Sequence, residues 1–297
     1  MKTTGDPGEF ILDHENRGSE KYPKDGKDHK KYRRLVGQTL WLSSVRRDIA
    51  YPVKELSKFV HDPTKEDMKK GYHLLRYLLG TKNECIHLKP DKNVIFSLEA
   101  FTDADLAGCR SSRKSTSGGC ISLNGSIFYT WAKQQDTIAD SSAESEFIGL
   151  SLACKNIMYC QIFLDELGIL LGTIPTVNID NTSAMKMVNT NVKSRVKHLD
   201  RKAYWIRDYI ACANVTVKHI DGKINIADIF TKYVTNQVLE TLRPAVMGRE
   251  RPPQKEIPEN PVQQIKKRKK LSYPKAINRI TNFFKTSNIN YSEYWER

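Results

Sequence analysis

The chain has 297 residues, 39% hydrophobic and 28% charged, with a mean hydropathy of −0.55, which suits a buried core under a polar surface. No run approaches the ~18 consecutive apolar residues of a membrane span, and Met1-Lys2-Thr3-Thr4 opens no apolar secretory segment, so an intracellular protein, cytoplasmic or nuclear and off the membrane, is expected. Lys and Arg number 48 against 34 Asp and Glu, a net charge of +14 that favours a polyanionic partner such as nucleic acid.

Residues 1–30 mix Gly, Asp, Glu and Lys with few apolar anchors and read as a flexible leader. From Lys31 the pattern becomes helical. Leu35, Val36, Leu40 and Trp41 form one segment, and Val53, Leu56, Phe59 and Val60 a second. Met68, Tyr72, Leu75 and Leu79 form a third, closed by Gly80. Residues 31–93 are thus a small helical unit. From Val94 the period switches to two, and a strand is expected through Asp103. Two apolar runs around Asn124-Gly125 predict a hairpin. Ser141-Ser142-Ala143-Glu144 reads as a capping box opening a long helix that Gly168 stops. A strand over Thr176–Asp180, a helix through Leu199 and Ile206, a strand over Asn214–Ile220 and a last helix capped by Asn225 follow. Hairpin strands followed by alternating helices and strands imply an α/β fold with a mixed sheet over residues 94–242.

Residues 243–297 read as a Pro-rich, basic, disordered tail, with six of the twelve prolines between 244 and 274 and the run Lys266–Lys270, a weak nuclear signal. Residues 235–297 carry 13 basic and 6 acidic side chains, half of the whole net charge, whereas residues 94–234 carry 15 and 14. The six cysteines form no C-x-x-C pair, so buried reduced thiols are expected rather than a zinc site.

Four carboxylates draw attention by position. Asp103 and Asp180 close predicted strands, Glu146 sits in the first turns of the long helix, and Asp228 opens the last helix. Any one of them alone is an ordinary turn or cap residue, and Asn225-x-x-Asp228 is itself a capping pattern. Together, strand ends and helix starts converge at one edge of an α/β sheet, where such folds bind ligands. Carboxylates held together repel unless cations sit among them. An all-oxygen set without His or Cys suits magnesium or manganese, and two such ions serve phosphodiester displacement.

The chain resembles the RNase H domain of copia-type retrotransposon Pol polyproteins. The strings that carry the resemblance are Phe101-Thr102-Asp103-Ala104-Asp105, Arg113-Lys114-Ser115-Thr116-Ser117-Gly118, Ser141-Ser142-Ala143-Glu144-Ser145-Glu146-Phe147, Lys197-His198-Leu199-Asp200 and Asn225-Ile226-Ala227-Asp228-Ile229-Phe230-Thr231-Lys232. Leu56-Ser57-Lys58-Phe59 and Leu75-Arg76-Tyr77-Leu78-Leu79-Gly80-Thr81 resemble the connection segment upstream, after the reverse-transcriptase palm. The resemblance implies an RNase H-like mixed five-stranded sheet with flanking helices, preceded by the helical connection. It implies that Asp103, Glu146, Asp180 and Asp228 are catalytic ligands of two Mg2+ (or Mn2+) ions, in an enzyme that hydrolyses the RNA strand of an RNA/DNA hybrid. Glu146 precedes the second strand Asp, as in RNase H; in integrases the Glu comes third. Leu106 stands where the family usually has Trp, Arg47 where it has Pro, and Tyr233 where Pro is common.

Two basic clusters follow the acidic motifs, and we expect phosphate contacts from Arg110, Arg113 and Lys114, and from Lys197, His198 and Lys202. The chain has no Asp-Asp dipeptide, hence no polymerase metal site of the Tyr-x-Asp-Asp kind, so a polymerase palm and fingers would come from a separate chain. That absence, with the Pro-rich tail, leaves an alternative open: an inactive or domesticated relic that only binds nucleic acid.

Overall fold

The computed structural model describes residues 20–88, 96–189, 197–212 and 214–250. Three helices come first, α1 (Lys27–Leu42), α2 (Ala50–Ser57) and α3 (Lys65–Gly80). Strands β1 (Leu98–Asp105), β2 (Thr116–Leu123) and β3 (Ser126–Gln134) lead to the long helix α4 (Ser142–Glu166). Then come β4 (Thr176–Ile179), α5 (Thr182–Asn189), α6 (Lys197–Ala211), β5 (Thr216–His219), α7 (Asp228–Thr231) and α8 (Asn236–Val246).

The five strands form one sheet in the order β3-β2-β1-β4-β5. β1 is central, antiparallel to β2 and parallel to β4, and β5 runs parallel to β4. This is the mixed sheet of the RNase H-like fold. The β2–β3 hairpin turns at Asn124 and Gly125, with φ of 49° and 77°, the pair of left-handed residues that a tight two-residue turn requires. Asn124 also ties the turn to the approach of β1, its Oδ1 accepting from Ser97 N at 2.7 Å.

Each face of the sheet is covered. On one side α4 lays Phe147, Leu150, Ala153, Cys154 and Ile157 against Leu98, Ala100, Ile121, Val177 and Ile179. By length and composition α4 alone among the described helices is apolar enough to cross a membrane; here it is the helix that fills this core. On the other side Phe101, Cys120 and Ile127 share a core with Tyr32, Ile49, Val53, Leu56, Met68 and Leu74 of the first helices. Phe230 of α7 and Leu239, Leu242 and Val246 of α8 complete that core. A buried polar network fastens the helices: Arg46 donates to both oxygens of Asp48 at 3.0 and 2.7 Å, and Tyr77 Oη donates to Asp48 Oδ2 at 2.6 Å.

Several boundaries differ from those expected. The leader ends earlier than residue 30: Lys21 pairs with Thr64 in a bridge and α1 starts at Lys27. Gly80 is the last residue of α3 rather than its cap, since Thr81 closes the helix. The reciprocal capping box is at Thr64 and Asp67; at Ser141 only half of one forms, because the Glu144 carboxylate accepts from Asp140 N instead. Asn225 caps no long helix, and α8, through Val246, runs past the boundary set at 242. Of the cysteines, all unpaired, Cys109, Cys120 and Cys154 are buried, while Cys85 and Cys212 are exposed. The greater part of the tail, with Lys266–Lys270, lies outside the described residues, as do residues 1–19.

Candidate metal centre

β1 carries Asp103 three residues into its pairing with β2 from the loop end, opposite Gly118. β4 delivers Asp180 just past its last residue, and α7 begins at Asp228. One oxygen from each of Asp103, Asp180 and Asp228 lies within 4.8 Å of the other two. Glu146 projects from the second turn of α4 against the Ala104 N–H and the Asp103 carboxylate, and its Oε2 is buried without a hydrogen-bond partner. All four expected carboxylates therefore meet at one end of the central strands.

Their electrostatics follow from that crowding. Burial first, then the charges of Asp103 and Asp180, push the Glu146 carboxyl up to about 9. Burial and Asp103 push Asp228 up to about 7, against the pull of Lys232. Asp180 is raised for the same two reasons. Lys232 answers this charge: its Nζ stands 3.0 Å from Asp228 Oδ1 and 3.5 Å from Asp103 Oδ2. Burial opposes its charge, but Asp103 and Asp228 outweigh burial and raise its pKa. One ammonium among four carboxylates leaves an excess of negative charge in a partly dry site. An orphaned carboxylate oxygen and an all-oxygen donor set fit a hard divalent cation.

Three neighbours of these carboxylates had no place in the expected site, Asn225 among them having been expected only as a helix cap. Thr231 Oγ1 donates a short hydrogen bond to Asp103 Oδ2. Asn225, fully buried, donates to Thr102 O at 3.1 Å and accepts from Ala227 N, so it is a clasp between β1 and the start of α7, and it favours the charged form of the neighbouring Asp180. Lys232 is the third. Its Asp228-x-x-x-Lys232 spacing, one helical turn, was the available signal.

Arg110, Arg113 and Lys114 lie on the loop joining β1 to β2, both arginines exposed. The loop closes on itself, Arg113 N donating to Cys109 O at 2.7 Å and Cys109 N to Lys114 O at 3.1 Å. Arg113 holds a left-handed φ of 54°, a conformation that a non-glycine residue adopts at some cost. Lys197, His198 and Lys202 fall on α6, and their side chains lie outside the described residues. Arg47 is buried beneath the sheet near Cys120, and its Nη1 has no partner.

No protein-family model matches the chain. The Pol polyprotein of the Arabidopsis thaliana transposon RE1 is 34% identical over 206 residues, 69% of this chain and 14% of the polyprotein. That of the Nicotiana tabacum transposon TNT 1-94 is 31% identical over 217 residues, 72% and 16% of the two chains. The chain thus spans about one seventh of the length of these curated relatives. Among solved structures, LC11-RNase H1, isolated from compost, aligns with 50% of this chain and 98% of its own, at 14% identity and a TM-score of 0.35. By sequence, the homologues of this chain are copia-type retrotransposon Pol polyproteins.

Proposed function

We propose that the chain is a divalent-metal-dependent endonuclease that hydrolyses the RNA strand of RNA/DNA hybrids. The observation that carries this reading is the convergence of Asp103, Asp180 and Asp228 within 4.8 Å, with Glu146 beside them. These four would hold Mg2+ or Mn2+, as two ions, which when bound supply charge neutralisation at a phosphodiester and a water made acidic enough to attack it. Asp103, whose charge acts on the other three, would be the central carboxylate of the set that holds them. Thr231 holds Asp103 in place, Asn225 ties the Asp103 strand to α7, and Lys232 holds Asp103 and Asp228 together. Arg110, Arg113 and Lys114, on the loop that β1 leads into, would grip substrate phosphates, with Lys197, His198 and Lys202 of α6 as a second set.

The test of the main reading is cleavage of an RNA/DNA hybrid, with duplex DNA and duplex RNA as controls. Cutting of the hybrid's RNA strand with Mg2+ and none with EDTA is expected. Tight hybrid binding without cleavage under any divalent cation would instead make the protein a nucleic-acid-binding relic.

A further inference from the structure

Thr231 is the last residue of α7 and is fully buried. Its hydroxyl has one proton and two acceptors in reach, Asp103 Oδ2 and the Asp228 carbonyl at 3.2 Å. The carboxylate is the stronger acceptor, and the bond to it is the shorter. Space for the approach comes from β2. A Cβ at Gly118, the residue paired with Asp103, would lie 2.7 Å from the Thr231 methyl and 2.8 Å from the Phe230 backbone. The methyl of Thr231 thus occupies the place a Gly118 side chain would take, and the hydroxyl reaches across the ladder to the carboxylate on β1.

We propose that Thr231 is a positioning residue for the divalent cation: by fixing Oδ2 of Asp103, it sets the plane of that carboxylate before the cation arrives. The inference rests on the metal-dependent reading above. A free aspartate rotates about its Cβ–Cγ bond, and binding a cation must then also freeze that rotation; the Thr231 hydrogen bond removes the requirement. Lys232, 3.5 Å from the same oxygen, adds charge but is half in solvent and gives a less directed hold.

Two one-atom comparisons test it, read as Mn2+ affinity by electron paramagnetic resonance on the full chain, with folding checked by circular dichroism. Thr231→Val keeps the methyl against Gly118 and removes the hydroxyl. Thr231→Ser keeps the hydroxyl and removes the methyl, and Thr231→Ala removes both. Loss of an outer hydrogen bond of this kind weakens metal binding by about 10–100-fold. Val against wild type, and Ala against Ser, should each show a loss on that scale, with Ser close to wild type. Should Val fail to fold, the Ala–Ser pair, which differs by the hydroxyl alone, carries the comparison. Equal affinities within either pair of folded variants would overturn the inference, since packing would then be the whole role. If wild type itself takes up no Mn2+, the metal-dependent reading fails and this inference falls with it; if wild type binds and Val binds equally, only the inference falls.

Discussion

Replacing Glu146 by Gln should abolish metal-dependent cleavage yet make the metal-free protein more stable, increasingly so as pH rises. In the fold the Glu146 carboxyl is pushed up to about 9 from its ordinary 4.5, by burial and then by Asp103 and Asp180. Between those values the unfolded chain has released the proton and the folded chain keeps it. A raised acid therefore costs stability progressively as pH climbs, at about 1.4 kcal/mol per unit. The upper bound is about 1 kcal/mol near pH 5.5 and about 5 kcal/mol near pH 8. Asp103 and Asp180 share the charge being relieved, so roughly 2 kcal/mol near pH 8 is the working figure. Glutamine has the same shape and no proton to lose, and its amide can donate toward Asp103. Urea unfolding in EDTA at the two pH values measures the difference. Glu144→Gln is the control, because Glu144 caps the start of α4 through Asp140 N and should keep activity at a cost of at most ~1 kcal/mol. A Glu146→Gln variant no more stable than wild type near pH 8 would refute the argument. So would an inactive Glu144→Gln beside an active Glu146→Gln.

Lys232→Met should destabilise the metal-free protein by on the order of 1 kcal/mol, its partial exposure limiting the loss, and added Mg2+ should restore most of it; an equal loss with and without Mg2+ in thermal melts would deny Lys232 its place among the carboxylates. Lys232 keeps its charge well past neutrality while Asp228, pushed up to about 7, gains its charge in this range, so the loss should be smaller near pH 6 and grow toward pH 9. Arg47→Met should raise stability by about 1–3 kcal/mol, since it deletes a buried guanidinium whose Nη1 has no partner; a destabilised variant in urea unfolding would show that the charge is compensated. Removing residues 251–297 takes away 11 basic and 4 acidic side chains while sparing α8, whose Ala245 and Val246 are buried. Hybrid affinity should fall and its dependence on salt should flatten, with cleavage chemistry kept; an unchanged slope would mean that the tail does not touch the substrate.

The carboxylate centre was legible because each acid sits at a point the local pattern defines. Asp103 and Asp180 follow period-two apolar runs, and Glu146 follows a serine cap by a fixed count that turns it to the sheet while Glu144 turns to the cap. The hairpin was legible for the same kind of reason, Asn124-Gly125 having few other conformations open to it. What the pattern hid depends on contacts distant in sequence. Thr231 meets Asp103 across 128 residues, and Asn225 meets Thr102 across 123. Asn225 in particular looks like a helix cap locally, and only the neighbouring strand turns it into a clasp. The first helices read as a separate unit because residues 31–93 have their own periodicity, yet Tyr32, Ile49 and Leu56 bury against Phe101 and Phe230. α8 was not expected at all, the last helix being placed at Asn225 and the domain ended at 242 ahead of the prolines; the helix nonetheless carries Pro244 near its last turn.

The central claim is that four carboxylates organised around Asp103 perform metal-dependent hydrolysis of a hybrid. Its most direct test is Asp103→Asn, assayed side by side for hybrid binding and for cleavage of the RNA strand in Mg2+. The account predicts binding within a few-fold of wild type and no detectable cleavage. Cleavage at the wild-type rate by this variant would contradict it.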